Sequence, residues 1–240
     1  MKTAAITGGT GGLGLATLKA LKKAGYRVVN ISRRECGGAD ANIAVDLTSP
    51  DAAATVATKL DRLDLLVNNA GIGAYGTFQE LTDDELHRVM DIDFFAPVKL
   101  VNALLPLLER SRGTVVNIAS MAAKIHVPAM GGYCAAKSAF AAYSETSRVE
   151  LGRRGVRVLT VYPGRVDTGF SQRAVKYREV PDTPGNSGVT ADMFAAKLIK
   201  TLASPRAKRL FFPWWYRPGT MLAKLFEDFY NRKNIDLWKL

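Results

Sequence analysis

Thr7-Gly8-Gly9-Thr10-Gly11-Gly12-Leu13-Gly14 follows directly on an apolar run, residues 3–7, and opens a segment with helical spacing, residues 12–24. Strand, glycine turn and helix in that order make one half of a β-α-β unit. Glycines permit the tight turn and let the backbone approach a pyrophosphate, while the helix N-terminus presents unpaired N–H groups and the positive end of its dipole. No lysine of the Walker type follows, which disfavours a nucleoside triphosphatase. The spacing leaves two glycine patterns open. Gly8, Gly12 and Gly14 fit one, and Gly8, Gly11 and Gly14 fit the other.

Outward from this turn the chain alternates. Residues 27–31, 42–45, 63–67, 114–119, 156–162 and 209–212 read as strands, most of them continuous apolar runs of the kind buried on both faces. Helical segments separate them. One over residues 49–60 opens on Ser49 and Pro50, a cap and a first-turn residue. Thr82 with Glu85 predicts a capping box on a long helix, residues 132–154 predict another, and Thr190 caps one that runs to Leu202. The expected fold is α/β: a Rossmann-type doubly wound parallel sheet flanked by helices, in a single domain over 1–240. Residues 165–190, with Pro181, Pro184, Gly185 and Gly188, break the pattern and are expected to form a substrate loop. Residues 205–240 form a basic aromatic C-terminal extension.

Composition agrees with this frame. At 240 residues and 48% hydrophobic content the chain can bury a sizeable core, which excludes disorder, collagen and coiled coil as global descriptions. No stretch approaches the roughly 20 apolar residues of a membrane span. An apolar run begins by Thr3, leaving no room for a signal peptide. Cys36 and Cys134 make no disulfide framework. A cytoplasmic location is expected, with a membrane-peripheral one as the alternative. Net charge is +11, and from Lys197 onward ten Lys/Arg stand against three Asp/Glu.

Tyr133 and Lys137, four apart on a helix, share one face. A free phenol with a pKa near 10 is a poor base at neutral pH, and a neighbouring ammonium favours its ionised form. With the glycine turn, Asp46, Asn68-Asn69-Ala70-Gly71, Ser120 thirteen residues before Tyr133, and Pro163-Gly164, the order of motifs over residues 3 to 170 resembles the short-chain dehydrogenases/reductases, in their compact single-domain branch.

The resemblance implies an oxidoreductase moving a hydride between a nicotinamide and a ketone, aldehyde or secondary alcohol. Tyr133 would be the general acid/base. Lys137 would lower its pKa and hold the nicotinamide ribose, and Ser120 would polarise the substrate oxygen. Gly8, Thr10, Gly11, Gly12 and Leu13 would cradle the phosphates. Asp46 and Leu47 would meet the adenine, and Asn69, Ala70 and Gly71 would run under the cofactor. Pro163, Gly164, Val166 and Thr168 would shape the nicotinamide side. In the family a catalytic Asn sits in the long fourth helix; here Asp93 takes its place, near Lys137, directly or through a water. No metal is implied.

Where relatives that use NAD(H) carry a carboxylate after the second strand, this chain has Ser32 followed by Arg33, so NADP(H) is preferred over NAD(H). Met121, Ala122, Ile125, His126, Val127 and Met130 predict an apolar substrate pocket. The expected partners are a small carbonyl or alcohol substrate and further copies of the chain, as a homodimer or homotetramer. In the tail, Met221, Leu222, Leu225, Phe226 and Phe229 recur on one helical face. That face is expected to close the pocket or meet another subunit, with peripheral membrane contact as a second reading and nucleic acid disfavoured. The alternative to an enzyme is a non-catalytic dinucleotide sensor or membrane-surface protein of the same fold.

Overall fold

The computed structural model describes residues 1–179, 181 and 188–239. The element order is β1 (Thr3–Thr7), α1 (Gly12–Lys23), β2 (Arg27–Ser32), β3 (Ala41–Ala44), α2 (Ala52–Thr58), β4 (Leu65–Asn68), β5 (Ala74–Tyr75), α3 (Asp83–Met90), α4 (Ala96–Ser111), β6 (Thr114–Ile118), α5 (Gly131–Arg153), β7 (Arg157–Pro163), β8 (Val175–Lys176), α6 (Ala191–Leu202), β9 (Arg209–Phe212), α7 (Tyr216–Leu225) and α8 (Glu227–Trp238). Among the described residues the main sheet has seven parallel strands in the order β3-β2-β1-β4-β6-β7-β9.

The doubly wound reading holds. Each crossover helix lays an apolar stripe on the sheet, and two cores result. Leu100, Leu104 and Leu108 of α4 with Val56 of α2 cover one face, and Leu18 and Leu21 of α1 with Phe194 and Leu198 of α6 cover the other. Each such buried side chain contributes about 1.5–3 kcal/mol. Ile6 of β1 stands opposite Asn30 on one side and Val67 on the other. The sheet therefore turns outward in both directions from β1 and β4. The crevice above their C-terminal ends is where such sheets take ligands.

Several expectations change. Ser49 and Pro50 lie in a turn, and α2 begins at Ala52, after Asp51 and without a side-chain cap. The Thr82–Glu85 capping box and the Thr190 cap, whose hydroxyl accepts from the Met193 N–H, form as read. The long fourth helix is not continuous: residues Asp91–Phe95 form a π-turn between α3 and α4, with the Ala96 N–H reaching the Asp91 carbonyl. The segment after β7 is not featureless. Ser171–Arg173 makes a helical turn, and β8 pairs in parallel with β5. Pro184 and Gly185 lie outside the described residues. The tail bends at Phe226, and α8 follows, an element the periodicity did not separate from α7.

Candidate active site

The glycine turn is built by sterics. Gly8 and Gly12 have φ of +68° and +54°, where L side chains are strained. A Cβ on Gly14 would lie 2.1 Å from the Gly8 carbonyl oxygen. Gly11, by contrast, has an extended φ of −174°, and a Cβ there would make only an ordinary contact with the Arg173 guanidinium, at 3.9 Å. The structure thus chooses the pattern Gly8, Gly12, Gly14. The end of β4 stitches the turn in place. The Thr7 hydroxyl accepts from the N–H groups of Asn69 and Ala70, both at 2.9 Å, and the Asn69 amide donates to the Thr7 carbonyl at 2.9 Å. Asn69 therefore supports the turn with its side chain.

A cavity of about 1540 Å³ runs from Ser32 and Arg33, over the turn, past Tyr133 and on to Trp238. It is larger than a typical single-ligand pocket and has room for a dinucleotide beside a substrate. All of Gly8, Thr10, Gly11, Gly12, Leu13, Arg33, Asp46, Leu47, Asn69, Ala70, Gly71, Pro163, Gly164, Val166 and Thr168 line it. The N-terminus of α1 points into it without a side-chain cap, as an anion-binding helix end requires. These residues fit a dinucleotide.

At the far end the Ser32 hydroxyl turns to the Arg34 carbonyl, leaving no carboxylate on β2. The Arg33 guanidinium is largely exposed, 4.0 Å from Asp46. The Thr48 N–H and hydroxyl, and then Arg33, hold the Asp46 carboxyl below its ordinary range.

At the near end Ser120 follows β6 and caps a helical turn, its oxygen accepting from the Ala122 N–H at 3.1 Å. Tyr133 and Lys137 project from α5, both buried. The Lys137 ammonium lies 2.8 Å from the Asp93 carboxylate and 3.2 Å from the Ile118 carbonyl. Asp93, only 1% exposed, also accepts from the Ile72 N–H at 3.0 Å. No water intervenes in the contact with Lys137. The π-turn swings Asp93 inward, and Gly71 makes room: a Cβ there would meet the carboxylate at 2.4 Å.

Asp93 lies behind Lys137 and outside the cavity lining. Burial first, then the negative charge of Asp93, push the Tyr133 phenol well above its usual value, against a hydrogen bond with Ser120 that lowers it. The Lys137 charge is 5.8 Å from the ring centroid, and its field is opposed by the carboxylate beside it.

The substrate end is apolar, as read from Met121, Ala122, Ile125, Val127 and Met130, all of which line the cavity; His126 is exposed and does not. Cys134 is buried, and burial pushes its thiol up, as suits a packing residue. Three contributors were missed. Arg173, in the loop, lies over the glycine turn: a Cβ on Gly12 would be 3.4 Å from its guanidinium, which donates to the Thr168 carbonyl at 3.3 Å. Tyr216 of α7 packs on Gly164, where a Cβ would lie 2.4 Å from its ring. Trp238 of α8 is buried against Tyr75, ring centroids 6.1 Å apart. The tail does wall the cavity, but with these residues. The face carrying Met221, Leu222, Leu225, Phe226 and Phe229 is exposed.

The profile of the short chain dehydrogenase family matches residues 2–179. The chain belongs to this family. A relative from Bacteroides thetaiotaomicron, named 3-ketodihydrosphingosine reductase, is 32% identical over 200 residues, covering 80% of this chain and 73% of that one. A short-chain dehydrogenase structure from Streptomyces avermitilis superposes with a TM-score of 0.82 at 27% identity, covering 99% and 96% of the two chains. One from Burkholderia cenocepacia, in complex with NADP, also gives 0.82, at 24% identity and 99% coverage of both. As a short-chain dehydrogenase, the protein is an oxidoreductase acting on CH–OH or C=O groups with a nicotinamide dinucleotide. None of its helices, among the described residues, is long and apolar enough to cross a membrane.

Proposed function

We propose that this short-chain dehydrogenase reduces an apolar ketone or aldehyde, with Tyr133 as the proton donor and NADP(H) preferred over NAD(H). One observation carries the reading: Ser120, Tyr133 and Lys137 line one cavity, beside apolar side chains and continuous with the glycine turn. A protonated phenol is what reduction needs, since the developing alkoxide must take a proton. The bound nicotinamide supplies the hydride. Ser120 donates a hydrogen bond to the carbonyl oxygen and polarises it. Lys137, ion-paired with Asp93, holds the ribose and lies behind the phenol. Oxidation of a secondary alcohol is the same path reversed, with Tyr133 ionised.

The α1 N-terminus and Arg173 are positioned to hold the phosphates, and Arg33 to take a 2′-phosphate that a carboxylate on β2 would repel. The name of the Bacteroides relative is in line with ketone reduction. The reading includes a homodimer or homotetramer in the cytoplasm. A panel of apolar ketones, aldehydes and secondary alcohols, followed by NADPH absorbance and run beside Tyr133→Phe, tests it. Turnover with the native chain and none with the variant is expected; equal rates for both would overturn it.

A further inference from the structure

The outer side of the C-terminal tail does not look like a surface that faces water. Met221, Leu222 and Leu225 fall on one face of α7, and Phe226 and Phe229 continue it around the bend into α8. All five are exposed, Met221 to 71% and Leu225 to 74%. Trp214 and Trp215, edge to face at 6.2 Å, stand exposed just before them. Single exposed apolar side chains are ordinary, but this many on one short stretch mark a surface that is covered in use. The same stretch has a second side. Tyr216 packs on Gly164 and Trp238 on Tyr75, at the cavity wall. The tail is a partition, with the substrate cavity inside and large apolar residues outside.

Charge and aromatic content together point to what covers it. From Trp214 onward five Lys/Arg stand against three Asp/Glu, Glu227, Asp228 and Asp236. Arg217, Arg232 and Lys233 are exposed in the same stretch, and the Lys233 ammonium lies 5.1 Å from the Phe229 ring centroid. A second copy of the chain would bring this charge against its like. An anionic lipid surface answers both features. Its headgroups meet the cations, and the acyl boundary takes the apolar side chains, with Trp at the depth it favours. Long basic side chains cover apolar surface with their stems and keep their charge among headgroups.

We propose that the outer face of α7 and the start of α8 docks in the plane of an anionic lipid surface, so that the substrate cavity lies directly behind the docked wall. The docking stands on the geometry alone. Supply of an apolar carbonyl compound from that surface rests on the proposed reaction.

The test is co-sedimentation of the full chain with phosphatidylcholine vesicles, with and without phosphatidylglycerol. Partition into the anionic vesicles is expected to be stronger by on the order of tenfold or more and to be released by high salt. Leu222→Glu with Leu225→Glu should abolish it, while melting temperature and NADPH binding stay those of the native chain, since both side chains point outward. Equal partition into neutral and anionic vesicles would overturn the choice of an anionic surface. Undiminished binding by the double variant would overturn the assignment of the face. Sedimentation velocity covers the remaining occupant: self-association lost in the double variant, without vesicle binding by the native chain, would make the face an interface between copies. Vesicle binding is read without turnover, so a failed substrate panel leaves the docking standing, and failed docking leaves the reaction standing.

Discussion

The Asp93 carboxylate and the Lys137 ammonium form a direct ion pair of 2.8 Å, and neither side chain is more than 5% exposed. In a low-dielectric setting an unpaired buried charge is costly: burial pushes the Asp93 carboxyl above its ordinary range, and the Lys137 ammonium beside it pulls the other way. The pair presents little net charge to Tyr133, and the carboxylate is one reason why the phenol stays protonated.

Asp93→Asn removes the negative charge and keeps the shape. The Tyr133 pKa should then fall. Oxidation, which needs the phenolate, should reach its plateau at lower pH, and reduction should lose its rate at a correspondingly lower pH. Measured pH–rate profiles in both directions check the sign. An unshifted profile would mean that the Asp93 carboxylate does not set the Tyr133 pKa.

Tyr133→Phe keeps the ring against Phe170, centroids 5.8 Å apart, and removes the transferable proton. Loss of turnover by roughly 10²–10⁴-fold is expected, the range of a positioned acid–base group. NADPH binding, followed by fluorescence, should stay within about twofold, since the phenol contributes at most one neutral hydrogen bond to it.

Arg33 and Arg173 should separate the two ends of the cofactor. Arg33→Ala removes a charge-assisted contact worth on the order of 1.5–3 kcal/mol for NADPH only, or roughly 10- to 100-fold in its dissociation constant. Arg173→Gln should weaken NADPH and NADH alike, because both carry the pyrophosphate that the proposed reading sets over the glycine turn. Titration of each variant with both nucleotides decides the matter. A selective loss in Arg173→Gln would move that residue away from the shared phosphates.

Glu80 ties down the segment after β8, through Arg178. Its carboxylate takes both arms of Arg178 at 2.9 Å and the Thr77 N–H at 2.8 Å, and these bonds lower its pKa from 4.5 to about 2. Because the folded pKa is depressed, the tie is complete above the ordinary carboxylate range and is lost only as pH falls toward about 2. Glu80→Gln should therefore raise the substrate KM severalfold and leave cofactor affinity alone. The native KM should show no Glu80 limb between neutrality and the ordinary carboxylate range. Steady-state kinetics across that range tests both statements.

Much of this was legible in the sequence. The glycine turn could be read because a backbone that must approach phosphate and take positive φ tolerates little but glycine, a demand written at single positions such as Gly8 and Gly12. The strands could be read because burial on both faces leaves unbroken apolar runs. Tyr133, Lys137 and Ser120 were singled out by the resemblance of the ordered motifs to a known family, not by helical spacing alone. Periodicity did not reveal the π-turn at Asp91–Phe95, which differs from a helix by one extra residue in a turn and leaves the apolar pattern nearly unchanged.

The sequence by itself determined the sheet and the phosphate turn, since each rests on local spacing and backbone sterics. Only the tertiary structure decided that Asp93 pairs directly with Lys137, that Arg173 lies over the turn, and that Tyr216 and Trp238, not the apolar face of α7, wall the cavity. Those are contacts between residues far apart in the chain. An amphipathic pattern reports that a helix has two sides, but which side meets the protein is set by shape and charge on elements the pattern does not contain.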